Sequence, residues 1–171
     1  RASNNNYIGC ASFYPGDDGS FKARKAQFAA CHFLMHDDLG TKVPLERLGG
    51  FELSWLIETS PGNYQAGYLL AEPLTDGKLA EALVKAIIAA GLCDKGADGP
   101  LARYARLPAA VNGKHSPAFA CRLVEWRPER RLTPAEIIEG LELKLRSHET
   151  KTSSPPAAIR SRGPAPGSAH R

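Results

Sequence analysis

The sequence predicts an α+β domain, with helices packed on a mainly antiparallel sheet. Three observations predict it. Periodic segments follow one another as strand, hairpin, helix, loop, strand and helix. Two apolar runs, Ser54 to Thr59 and Tyr64 to Leu70, are joined by Pro61-Gly62-Asn63, which is hairpin chemistry. Thr133-Pro-Ala-Glu136 is a capping box with proline at the first helical position. A chain of 171 residues, 43% hydrophobic and 23% charged, is long enough to bury a real core.

Along the chain, Tyr7 to Phe13 is a short apolar run, and Tyr14-Pro-Gly-Asp-Asp-Gly19 is a turn. Lys22 to Phe28 mixes basic residues with Ala and Phe in a way that suits a short helix. Cys31-His-Phe-Leu-Met-His36 is mostly apolar, so it reads as a largely buried strand running straight into Asp37 and Asp38. After the hairpin, Thr75 or Asp76 can cap a helix to about Ala90, with Leu79, Leu83, Ala86, Ile87 and Ala90 on one face and Gly91 ending it. Residues 93–104 form a polar, glycine-containing loop. Phe119 to Trp126 returns as a strand, and the capping box opens an amphipathic helix to about Leu145.

The ends are polar. The last 25 residues hold four prolines and one large aliphatic residue, Ile159, too little apolar surface to offset the entropy of ordering them. Residues 1–147 therefore read as the domain and 148–171 as a disordered tail or linker. Position 1 is not a methionine and no leader is visible, so it reads as the cut edge of a longer reading frame. No run reaches the ~20 apolar residues of a membrane helix. The net charge of +4 sits mostly in the tail: residues 1–146 carry 18 basic and 17 acidic groups. Charge alone thus predicts no broad nucleic-acid-binding face, and any contact with nucleic acid must be local. Cys10, Cys31, Cys93 and Cys121 form no CxxC pair and fit no zinc spacing, which favours reduced structural cysteines in a cytoplasmic protein.

Three stretches carry groups that do chemistry. Asp37 and Asp38 close a buried strand, where neighbouring side chains diverge, so one acid can hold a metal while the other braces the site or takes a second ion. Such hard oxygen donors suit Mg²⁺ or Mn²⁺, although Asp-Asp-Leu-Gly also serves as a plain strand exit. Glu58-Thr-Ser-Pro-Gly-Asn-Tyr-Gln65 offers hydroxyls and amides at a hairpin tip. Asp94 to Lys114 holds Asp94 and Asp98, then Arg103, Arg106, Asn112 and Lys114: carboxylates for metal and cations for a triphosphate. No P-loop, GxGxxG, nucleophile elbow or HExxH occurs.

Taken in order, His36-Asp-Asp-Leu-Gly-Thr-Lys42, Ile57-Glu-Thr-Ser-Pro-Gly-Asn-Tyr-Gln65 and Arg106-Leu-Pro-Ala-Ala-Val-Asn-Gly-Lys114 resemble the RepB-like primase domains of plasmids and phages. These are a branch of the archaeo-eukaryotic primase superfamily, and the resemblance runs from about Tyr7 to Leu145. It implies an RRM-like sheet fused to an N-terminal αβ unit, with Mg²⁺ or Mn²⁺ on Asp37, Asp38 and Asp94, Asp98 being the second choice for the last. It also implies nucleotide contacts from Ser60, Gln65, Arg106, Asn112 and Lys114. The implied reaction is in-line attack of a 3′-hydroxyl on the α-phosphate of an NTP or dNTP, with two ions about 4 Å apart. The implied partners are a single-stranded DNA template, stacked on Tyr64, Tyr104 or Trp126, and a replicative helicase, in trans or fused downstream.

The chain departs from the family pattern at two positions. Gln65 stands where His is usual and cannot carry a proton or a positive charge. Ala109 replaces the usual Gly of the third stretch, so its backbone is less free to adopt positive φ. Gln65 keeps a second reading open, a catalytically degenerate DNA-binding or replication-initiator module of the same fold. The same acids would also serve a metal-dependent nuclease, and a plain interaction domain would need none of them.

Overall fold

The computed structural model describes residues 5–94 and 103–145. Asp98, most of the 93–104 loop and the 148–171 tail lie outside the described residues. The chain opens with two short strands, β1 (Tyr7–Gly9) and β2 (Ala11–Phe13), followed by the long β3 (Phe28–Leu39). The hairpin is β4 (Trp55–Ser60) and β5 (Asn63–Leu74), and α1 (Gly77–Ala89) follows. Next come β6 (Tyr104–Arg106), β7 (Val111–Asn112), β8 (Phe119–Ala120), β9 (Arg122–Trp126), β10 (Arg131–Leu132) and α2 (Pro134–Gly140).

Among the described residues six strands form the main sheet. Five run in the order β2-β3-β5-β4-β9, all antiparallel neighbours. β10 completes it by pairing in parallel with Leu69 and Leu70 of β5, beyond the start of β4 at Trp55, which pairs with Gly67. β1 pairs with β6, and β7 with β8, as two separate ribbons. Among the described residues the architecture is thus the α+β class expected, with a mostly antiparallel sheet and two helices.

Side chains alternate across a strand, and the alternation sorts the core into two layers. Leu34, Leu56, Ala66, Tyr68 and Leu70 face α1 and α2, where they meet Leu83, Ile87 and Ile137. Phe33, Met35, Trp55 and Ile57 face the other way and pack under Cys10, Ala105, Ala110 and Cys121. Both faces of β3 are covered, which is why its sequence is an almost continuous apolar run. All four cysteines are buried and free, as small hydrophobes.

Local chemistry explains most boundaries. Asp76 caps α1 by accepting from the amides of Lys78 and Leu79, and Gly91 leaves it at φ 69°. Thr133 and Glu136 form the capping box of α2. Three expectations need correction. Lys22 to Phe28 is not a helix beyond a single 3₁₀ turn at Lys25–Gln27, because the Gln27 amide ties down the carbonyls of Tyr14 and Ser20 and Phe28 already belongs to β3. α2 stops at Gly140, against whose bare Cα the Phe51 ring packs, instead of reaching Leu145. The strand at Phe119 to Trp126 is broken at Cys121, whose amide donates to Ala110 O at 2.7 Å, so its two halves join different sheets. Among the described residues no helix is long and apolar enough to cross a membrane.

Candidate active site

The end of β3, the start of β5 and the segment after α1 meet at one end of the central strands. Cys93 Sγ accepts from the amide of Asp37 at 3.2 Å, and the amide of Asp94 approaches Asp37 O at 3.4 Å. These contacts lay the residues following α1 beside the strand that carries the acidic pair.

Asp38 holds a left-handed backbone, φ 57°, and the ladder between β3 and β5 changes register between His36 and Leu39. Aspartate adopts this region more readily than most residues. β3 therefore runs through both acids before ending. The turn beyond is pinned, since Asp38 O accepts from the amides of Lys42 and Val43, each at 3.0 Å. Gly40, at φ 83°, lies so close to Gly62 O and the Tyr64 ring that a Cβ has no room.

The two acids take different partners. Asp37 Oδ1 accepts from Gln65 Nε2 at 3.2 Å and from the amide of Asp38 at 3.0 Å. Asp38 Oδ1 accepts from Asn63 Nδ2 at 3.2 Å, while its Oδ2 pairs with Lys42 Nζ at 2.8 Å. The same ammonium lies 3.1 Å from Asp94 Oδ2. Asp38 and Asp94, far apart in the chain, thus close on one cation. Hydrogen bonds to Asp38, then to Asp94, push the Lys42 pKa above its ordinary value.

Behind the acids lie His36, to which sequence reasoning gave no role in the site, and Arg103, which it offered as a cation for a triphosphate. Buried His36 bonds Leu92 O through Nδ1 at 2.7 Å and meets the Tyr68 ring edge-on, centroids 5.4 Å apart. A carbonyl can only accept, so Nδ1 carries the proton; Nε2 has no partner among the described residues. Burial, with the Arg103 charge adding to it, pulls the His36 pKa down to about 4, so the ring is neutral at pH 7. Arg103, 7% exposed, donates through Nη2 to Cys93 Sγ at 2.9 Å, and its Nη1 is unpartnered among the described residues. Burial raises the Cys93 thiol pKa against the opposing pull of Arg103.

Of the expected nucleotide contacts, three form one buried network. Gln65 Oε1 accepts from the amide of Arg106 at 2.8 Å, so both ends of its side chain are engaged. Arg106 donates to Asn5 Oδ1 at 2.6 Å and to Asn112 Oδ1 at 3.2 Å, with its guanidinium 4.8 Å from the Tyr7 ring centre. Asn112 Nδ2 reaches Thr59 O at 2.8 Å. These bonds tie the hairpin to β6 and β7 behind the acids. Ser60 is half-buried at the end of β4, and Lys114 is exposed. On the sheet face away from the helices, an apolar groove of about 250 Å³ opens between Trp55, Ile57, Leu123 and Trp126, with Arg106 at its wall. Trp126 is 55% exposed and Tyr104 53%, whereas Tyr64 packs against the core.

Lys42 ends the stretch that begins at His36, and its i+4 spacing from Asp38 is the only sequence signal for its role. Asn63 and Arg103 were visible as residues but not as partners, since their contacts depend on the tertiary fold.

Among the described residues no group of three or more His, Cys, Asp or Glu converges tightly enough to hold a metal ion in this arrangement. The donor set nonetheless fits a hard divalent cation: two partly exposed carboxylates already share a positive charge, and Asp37 adjoins one of them on the chain.

No protein-family model matches the sequence, and no curated protein matches it. Solved structures do share its fold. The AEP domain of the primase-polymerase of cyanophage S-2L superposes with a TM-score of 0.58 at 18% identity, over 80% of this chain and 70% of that one. The catalytic domain of primase RepB′, in complex with initiator DNA, gives 0.52 at 21% identity over 68% of this chain. A second RepB′ primase structure gives 0.50 at 21% identity. The chain spans 60% of the first RepB′ structure and 40% of the second. The chain therefore has the RepB-like archaeo-eukaryotic primase fold.

Proposed function

We propose that this chain is the catalytic domain of a DNA primase-polymerase of a plasmid or phage, extending a nucleotide chain on single-stranded DNA. The observation that carries the reading is the meeting of Asp38 and Asp94 on one cation, beside Asp37, in a fold shared with primase-polymerases. Asp37, Asp38 and Asp94 would hold Mg²⁺ or Mn²⁺, which supply Lewis acidity at the phosphate and lower the pKa of the attacking 3′-hydroxyl.

The chain's own residues do the rest. Gln65 orients Asp37 through its Nε2 and fixes β6 through its Oε1. Asn63 steers Asp38. Exposed Lys114 and half-buried Ser60 neutralise and position the triphosphate of an NTP or dNTP. Arg106 and Asn112 hold the wall of the site through their buried bonds, and the Arg106 charge adds positive potential behind the nucleotide. Template bases have an apolar surface at Trp126 and the groove beside it.

Incubating the chain with single-stranded DNA, nucleoside triphosphates and Mg²⁺ or Mn²⁺ tests the proposal. Template-dependent product that disappears with chelator supports it. A second reading, a DNA-binding module that does not polymerise, draws on Gln65, whose amide is engaged at both ends by the protein itself. DNA binding without product under either metal would establish that reading instead. Release of nucleotides from the DNA without triphosphates would identify a nuclease.

A further inference from the structure

Lys42 is a side chain the proposed reaction does not use, yet it occupies the centre of the site. Its ammonium lies 2.8 Å from Asp38 and 3.1 Å from Asp94, between the two carboxylates that would hold a divalent ion. Its backbone is held, because its amide donates to Asp38 O and the nearby Gly40 amide donates to Val43 O at 2.7 Å. Its side chain is 61% exposed and flexible, so it can leave the carboxylates for solvent without moving the turn. Two other cations behind the acids, Arg103 and Arg106, are buried and bonded to Cys93 and to Asn5 and Asn112, not to an acid.

We propose that Lys42 is an internal counter-ion which holds Asp38 and Asp94 together in the metal-free chain and must swing out before a divalent ion binds. This inference rests on the proposed metal role of Asp38 and Asp94. It gives Lys42 two effects. Without metal, it cancels repulsion between two carboxylates brought together by the fold. With metal, it competes for the same oxygens, weakening the ion's affinity by an amount set by two partly exposed ion pairs.

The test is a Mn²⁺ titration of the chain alone, without nucleotide or DNA, followed by electron paramagnetic resonance of free Mn²⁺. Lys42→Met should bind Mn²⁺ about fivefold more tightly than the unaltered chain. In chelator it should melt at a lower temperature, and Mn²⁺ should raise that temperature by more than it does for the unaltered chain. Lys42→Gln repeats the comparison if methionine disturbs the turn, and Lys42→Arg, which keeps the charge, should behave like the parent. Equal or weaker Mn²⁺ affinity in the folded Met and Gln variants overturns the proposal, as does failure of every form to bind Mn²⁺. Primer synthesis by the parent would leave the proposed function standing in that event. Tighter binding in the variants with no synthesis by the parent would keep the counter-ion and remove the polymerase.

Discussion

Asp38 and Ala109 both hold left-handed backbone, at φ 57° and 62°, but for different reasons. Asp38 gains two side-chain partners by turning out of the strand, whereas Ala109 is exposed and only its amide is engaged, with Cys121 O at 3.1 Å. The conformation costs a non-glycine residue roughly 1–2 kcal/mol. Ala109→Gly should therefore raise stability by about 1 kcal/mol, less what glycine adds to unfolded-chain entropy, as a higher urea midpoint at unchanged slope. An unchanged or lower midpoint would mean that Ala109 carries no strain. His36 supplies a second prediction at this scale. Its folded pKa is about 4 against an ordinary 6.5, so between those values the unfolded chain binds a proton that the folded chain refuses. Stability is then full above pH 6.5 and falls as pH drops through that window, by on the order of 3 kcal/mol in all. Unfolding across that range, for parent and His36→Gln, should show a shallower fall in the variant; parallel curves would remove His36 as the cause. Asp37 and Asp38 were legible in the sequence because acids are conspicuous at the end of an apolar run. Gln65 was legible as a departure, but that its amide spans Asp37 and β6 was not, since its partners lie 28 and 41 positions away.

Among the elements, β5 carries the most. It lies at the centre of the sheet, with β3 on one side and β4, then β10, on the other, and its first residues hold the acids. Gly67 sits where the Trp55 ring and Leu34 O press against its Cα, leaving no space for a Cβ. Gly67→Ala should cost roughly 1–3 kcal/mol through displacement of Trp55, read by chemical denaturation and by a shift in tryptophan fluorescence. Wild-type stability in that variant would contradict the packing described. The hairpin and α1 could be read directly from sequence, because turn residues and caps act over a few positions. The end of α2 could not, because it is set by Phe51, brought from far along the chain. The same holds for the break at Cys121, whose partner Ala110 precedes a different strand. Sequence periodicity marks where an element begins more surely than where tertiary contacts stop it.

For the whole molecule, two apolar layers support a sheet whose central strands, at one end, gather three acids from two distant segments. The layers followed from alternation in β3 and β4, and the class of fold followed from element order. The meeting of Asp94 with Asp38 did not follow from spacing; it required α1 to return the chain to the end of β3. The function proposed for this end of the sheet is nucleotide transfer with a divalent ion. Its decisive comparison is single-nucleotide incorporation on a DNA template, with Mg²⁺ or Mn²⁺, between the parent chain and Asp37→Asn/Asp38→Asn. Asparagine keeps the shape of each side chain and tolerates the left-handed backbone at position 38, so the double variant should fold. Metal-dependent incorporation is expected of the parent, with a loss of about 100-fold or more in the variant and DNA binding retained. Undiminished incorporation by the variant would contradict a catalytic role for these acids.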